Sequence, residues 1–235
     1  MAASPGKIER LQTALKEHGF WGVGRIAWYR LRDYPHTRKA VASAEAFDRS
    51  YNVETATYVF LSELQDLGPS SEHGLWYQPA APNMVVFAIR QLGIDPKEFT
   101  FIDLGSGKGR VILTASQFPF KAVLGVEFSE KLHAAALRNI QNYTGPVATC
   151  ARSVHMDASK FEFPPGKIVV FFFNPFKGPV MEAVVQNLHR LAQARQELLI
   201  IYFLPMERAL FDAQPWLRIV RNSDSYCMYR AVPSS

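Results

Sequence analysis

Between Phe101 and Arg110 the chain reads Phe-Ile-Asp-Leu-Gly-Ser-Gly-Lys-Gly-Arg, a carboxylate followed by glycines at 105, 107 and 109. Glycine at these positions permits a tight turn and lets backbone approach a ligand closely, and the free N–H groups of a helix starting behind the turn favour an anionic group such as a carboxylate. Three nucleotide chemistries compete for such a turn. A phosphate-binding P-loop needs Gly where Ile102 stands and Ser or Thr where Gly109 stands, so it fails. The dinucleotide fingerprint needs its third Gly where Arg110 stands. What remains is an Asp two residues ahead of alternating glycines, with Ser106 inside the turn.

A second carboxylate follows at the usual distance of about twenty residues. Glu127 closes the run Leu124-Gly125-Val126-Glu127-Phe128, and at the tip of a strand it can accept both hydroxyls of a ribose; its alternative is a solvated cap. Asp157, in His155-Met156-Asp157-Ala158, can accept from an exocyclic adenine amine, with turn formation as its alternative. Asn174-Pro175-Phe176 ends the most apolar run of the chain. There the Asn174 carbonyl oxygen can accept from an incoming N–H while Pro175 stiffens the turn and Phe176 packs on an aliphatic stem; the alternative is that Asn174 caps the next helix. His73 and His133 share no metal-ligand spacing and are read as structural or solvated, so no metal site is expected.

These residues have to be positioned by a regular framework. Apolar β-rich runs alternate with helical segments: helix 83–92, strand 99–104, helix 109–117, strand 122–128, helix 130–142, a strand ending near Met156, strand 167–173, helix 180–194, strand 197–203 and helix 206–213. That alternation marks a parallel sheet with helices on both faces. Residues 217–221 and 226–231 lie too close together for a crossover helix, so they are expected as a hairpin that makes the last strand antiparallel. Upstream, residues 7–17 and 24–32 read as helices, residues 40–67 as ordered and 68–71 as an exit loop. The expected division is an N-terminal helical extension, 1–75, and a ligand-binding domain, 76–235. The extension is expected to cap the ligand side and shape a substrate entrance.

With 235 residues, 48% of them apolar and 20% charged, the chain can bury a sizeable core. Its net charge of +5 is concentrated in residues 1–40, where eight basic side chains face three acidic ones. That cluster could contact an acidic partner, yet Trp21, Trp28, Tyr29 and Leu31 point to packed helices with a solvated face. Cys150 and Cys227 are too few and too far apart for a disulfide framework or zinc site. No secretion signal or membrane-spanning run is read, and a reducing cytoplasm is the expected location.

Taken together, Phe101 to Arg110, Gly125-Val126-Glu127 and Asn174-Pro175-Phe176 resemble class I S-adenosylmethionine methyltransferases from about Tyr77 to the C-terminus. The Asp-Leu-Gly-Ser-Gly loop is similar to that of the non-SET histone lysine methyltransferases and of the lysine methyltransferase of the ATP synthase c-subunit. The resemblance implies a Rossmann-like seven-stranded sheet, mostly parallel with an antiparallel C-terminal strand. It also implies S-adenosyl-L-methionine as cofactor, with Asp103 and Gly105, Ser106, Gly107 and Gly109 at its methionine moiety, Glu127 and Phe128 near the ribose, and Asp157 and Ala158 near adenine. Tyr77-Gln78-Pro79 is similar to a segment that covers the methionine end in those lysine-modifying groups. Asn174 and Phe176 would serve the acceptor. The expected activity is N-methylation of an amine, a protein lysine first and a small-molecule amine second. Nucleic-acid bases are disfavoured because the longer Asn-Pro-Pro-Tyr form is missing. A noncatalytic cofactor-binding partner protein and a nicotinamide oxidoreductase are the competing classes; intact Asp103, Glu127 and Asn174 argue against the first and Arg110 against the second.

Overall fold

The apolar runs become strands and the amphipathic segments between them become helices. The computed structural model describes residues 34–57, 59–60, 76–77, 79–194 and 196–232; the expected helices over 7–17 and 24–32, the exit loop 68–71 and His73 lie outside them. The chain divides into two compact units, Met1–Ser43 and Ala44–Ser235, so the boundary expected at 75/76 falls within the second unit. Helix α1 spans Tyr34–Tyr51, and β1 (Val59–Phe60) pairs antiparallel with β2 (Trp76–Tyr77).

From Pro82 onward the order is α2 (Pro82–Gln91), β3 (Phe99–Leu104), α3 (Arg110–Ala115), β4 (Ala122–Glu127), α4 (Glu130–Asn142), β5 (Ala151–His155), β6 (Lys167–Phe173), α5 (Pro179–Gln193), β7 (Leu198–Phe203), α6 (Arg208–Asp212), β8 (Leu217–Asn222) and β9 (Tyr226–Ala231). The large sheet has seven strands in the order β5-β4-β3-β6-β7-β9-β8. β3 to β7 are mutually parallel, and β9 runs antiparallel to both β7 and β8, as the expected hairpin requires.

Strand alternation divides the core into two layers. Ile168, Val170 and Phe172 of β6 pack with Met181, Val184 and Leu188 of α5 on one face. Val169 and Phe171 pack with Val85 and Ile89 of α2 and Val111 and Ile112 of α3 on the other. Each such large apolar side chain contributes about 1.5–3 kcal/mol on full burial, which fixes strand register because a one-residue slip would exchange the two faces. Among the described residues no helix is long and apolar enough to cross a membrane.

The chain moves outward from β3 through β4 to β5, then returns to place β6 on the other side of β3. Open α/β sheets bind ligands in a crevice outside the carboxyl ends of the strands at such a switch point, which lies here between β3 and β6. Four strand tips border it in order: Glu127 on β4, the glycine turn after β3, Asn174 after β6 and Leu204 after β7.

Candidate active site

The glycine turn is left-handed at Gly105 (φ 82°), Gly107 (φ 53°) and Gly109 (φ 89°). Gly105 is required twice over, because a Cβ there would lie 2.3 Å from the Pro175 Cβ. The Asn174-Pro175 tip is therefore pressed directly onto the ligand turn. The turn is also bound to the neighbouring strand, since the amides of Gly105 and Ser106 donate to the Val126 carbonyl at 2.9 and 3.0 Å. Ser106 Oγ is buried and has no hydrogen-bond partner among the described residues.

Glu127 is only 3% exposed. Its Oε2 accepts from the Gly107 amide at 2.8 Å and its Oε1 from the Ser129 amide at 2.9 Å. Burial raises its pKa, and the amides of Ser129, Gly107 and Phe128, with His155, only partly offset that. Asp103, 2% exposed, sits one strand away. Burial, and then the charge of Glu127, hold its carboxyl well above the ordinary range. Among the described residues no cation pairs with Asp103. Two buried carboxylates of this kind are a receptor for positive charge.

A second set of contacts around the turn escaped the sequence reading. Arg110, the first residue of α3 and 1% exposed, donates through Nε to Thr55 Oγ1 at 2.6 Å and through Nη2 to Asp48 Oδ1 at 3.2 Å. Asp48 also accepts from the Thr55 hydroxyl and from the amides of Thr55 and Ala56, each at 2.6 Å. From α4, buried Asn139 donates to the carbonyls of Lys108 (2.9 Å) and Glu54 (3.1 Å) and accepts from the Glu54 amide (2.8 Å). Residues 48–56 thus hold the back of the turn. The signal for this was Arg110 itself: a guanidinium opening a helix that reads Arg-Val-Ile-Leu-Thr-Ala and is wholly buried demands an acid from elsewhere.

On the far side of Glu127, Asp157 caps a short 3-10 turn over Ala158–Lys160 and accepts from the amide and hydroxyl of Ser159 at 2.9 and 2.7 Å. This is the turn-forming role that the sequence offered as its alternative. Ala158 is buried beside it, and the Phe128 carbonyl accepts from His155 Nε2 at 2.9 Å. His133 is not free on the helix surface: its Nδ1 is 2.8 Å from Ser153 Oγ and its ring stacks on His155, with centroids 5.5 Å apart. Burial, followed by the neighbouring His155, lowers its pKa. Among the described residues no group of three or more potential ligands could hold a metal ion. Tyr77 pairs through its backbone with Val59; its side chain lies outside the described residues.

Asn174 stands in the left-handed region (φ 44°) with its Nδ2 donating to Met206 Sδ at 3.2 Å. Its Oδ1 is buried and has no hydrogen-bond partner among the described residues. It does not cap the following helix, which begins behind Gly178 without a side-chain cap. Phe176 is 8% exposed, and its ring packs perpendicular to that of Phe172 with centroids 6.2 Å apart.

No protein-family model matches the sequence, and no curated protein matches it. Solved structures are similar to it over about two thirds of the chain. An RNA methyltransferase from Salinibacter ruber, crystallised with S-adenosyl-L-homocysteine, is 18% identical with a TM-score of 0.45, over 67% of this chain and 95% of that one. The magnesium protoporphyrin IX methyltransferase of Synechocystis with bound S-adenosylmethionine is 18% identical (TM-score 0.46; 65% and 79% covered). TrmN from Thermus thermophilus is 18% identical (TM-score 0.47; 65% and 49% covered). None of the three bears on what this chain acts on.

Proposed function

We propose that the chain is a class I S-adenosylmethionine-dependent methyltransferase that N-methylates an amine, with a protein lysine as first candidate and a small-molecule amine as second. The observation that carries this reading is the buried pair Asp103 and Glu127 at a sheet switch point, joined by a glycine turn and lacking a cation among the described residues. A nucleoside bearing positive charge and an amino-acid tail fits that donor and acceptor set. Asp103 and the turn would hold the amino-acid end, with unpartnered Ser106 Oγ available to it. Glu127 would take the ribose, since each carboxylate oxygen uses one lone pair on an amide and keeps another for a hydroxyl. Phe128 would lie near the ribose, and Asp157 and Ala158 would line the adenine end.

When bound, the cofactor supplies an electrophilic methyl group on positively charged sulfur. The chain's part is then alignment and exclusion of water. Asn174 Oδ1 accepts an N–H of the entering amine and turns its lone pair toward the crevice. Burial beside positive charge favours the neutral amine over the ammonium, because desolvation and a like charge both lower its pKa.

Titration calorimetry with S-adenosylhomocysteine and with NAD separates this reading from an oxidoreductase; NAD binding without S-adenosylhomocysteine binding overturns it. Incubating the protein and radiolabelled cofactor with a cell lysate identifies the acceptor. Label recovered as methyllysine supports the first candidate, and label in small amines the second. Binding without any transfer would leave a noncatalytic binding module.

A further inference from the structure

We propose that Leu204 and Met206 form an apolar wall of the acceptor site, selecting an amine carried on an unbranched apolar stem; this rests on the methyl-transfer reading above. β6 and β7 end in register, with Phe173 opposite Phe203, so Asn174 and Leu204 leave adjacent strands side by side. Pro175 lies against the turn at Gly105, so the Asn174 tip borders the proposed cofactor turn.

Leu204 adopts φ 47°. A branched aliphatic side chain rarely tolerates that backbone, and such strain persists only where surrounding contacts impose it. Here they do: the Leu204 amide donates to Ser225 O and the Met206 amide to Leu204 O, both at 2.8 Å. The Glu207 amide donates to the Tyr202 hydroxyl at 3.2 Å, and Glu207 Oε1 accepts from the Gly178 amide at 3.3 Å. What this rigid turn presents is apolar. Leu204 is 43% exposed and Met206 62%, and the nearest carboxylate in the turn, Glu207, is engaged with Gly178.

Met206 has a second task. Its sulfur accepts from Asn174 Nδ2 and so leaves Oδ1, which has no hydrogen-bond partner among the described residues, as the free acceptor of this tip. One hydrogen-bond acceptor above two exposed aliphatic side chains matches an N–H at the end of a hydrocarbon stem.

The test is binding of n-butylamine, n-pentylamine and n-hexylamine to the full chain saturated with S-adenosylhomocysteine, by calorimetry, with methyl NMR of Met206 to locate them. Affinity is expected to rise by up to about fourfold per methylene, from about 0.8 kcal/mol for each buried CH2, and the Met206 methyl signal to shift. Leu204→Asn and Met206→Ser should each weaken n-hexylamine on the order of tenfold and flatten the chain-length dependence, with S-adenosylhomocysteine affinity retained. Leu204→Asn should also raise the melting temperature, because Asn tolerates this backbone better; a merely structural Leu204 would not combine higher stability with weaker amine binding. Amine affinity independent of chain length, an unmoved Met206 signal, or displacement of the amines by a short oligoribonucleotide would overturn the wall while leaving the cofactor reading intact. Failure of S-adenosylhomocysteine to bind the unaltered chain would overturn the cofactor reading itself.

Discussion

The two sides of the crevice are built in opposite ways. Around the glycine turn, Glu127, Asn139, Asp48 and Arg110 engage one another and the backbone through short buried bonds that reach across α1, α3, α4 and β4. At the tips of β6 and β7, Asn174 and Leu204 hold strained backbone, Asn174 Oδ1 has no partner among the described residues, and Leu204 and Met206 face solvent. The contrast teaches that one half is braced by side-chain bonds within the chain before any ligand arrives, while the other rests on strained backbone and presents apolar side chains to solvent.

The sharpest way to break this comparison is Gly105→Val. A side chain there would collide with Pro175 and sit at a φ that β-branched residues avoid, so S-adenosylhomocysteine binding should vanish from calorimetry; Gly107→Val should do the same. Normal binding would show that the turn is not the ligand site. Next in size, Asp48→Ala leaves Arg110 buried without its acid and should cost about 3–5 kcal/mol of stability, read as a fall in melting temperature. An unchanged melt would mean that the contacts of residues 48–56 are incidental.

Glu127→Ala is expected to weaken S-adenosylhomocysteine by about 1.5–3 kcal/mol while the fold survives, as for a hydrogen bond to a charged group. The upper end is favoured because the Gly107 and Ser129 amides lose their acceptor as well. On the open side, Asn174→Ala should lower turnover tenfold or more, at about 1.4 kcal/mol per decade, with little change in S-adenosylhomocysteine affinity. Equal losses in both would erase the proposed division of labour.

The smallest effect is a pH dependence. Asp103 and Glu127 have folded pKa values above their unfolded ones, so the native state holds extra protons between the two. The ligand-free protein should therefore lose stability as pH rises from about 4 through the folded values. S-adenosylhomocysteine, whose ammonium prefers ionised carboxylates, should bind a few-fold tighter over that interval and release protons. Calorimetry in two buffers of different ionisation heat counts them, and Asp103→Asn should reduce the count.

The strands were legible because their apolar runs are long, β-rich and bounded by turn residues: β3, β6 and β9 lie at their expected limits. Helix ends were less so. The helix expected over 109–117 spans only Arg110–Ala115, since Gly109 in left-handed backbone cannot belong to it. That expected over 206–213 shrinks to Arg208–Asp212 after the turn at Pro205. Within the site, glycine spacing exposed the turn and strand position exposed Glu127. The contacts of Arg110 and Asn139 join residues 31 to 85 positions apart and leave no periodic trace.

The segment behind the turn also makes a built-in reporter. The amides of Glu54, Thr55 and Ala56 donate to the side chains of Asn139 and Asp48, outside any helix or strand ladder. Their exchange with deuterated solvent requires those side chains to let go, and the same side chains grip Lys108 and Arg110. By linkage, any ligand that binds only the closed turn must slow exchange at these three amides, which lie some 54 residues earlier in the chain. Occupancy of the crevice would thus be written into backbone protons that never meet the ligand.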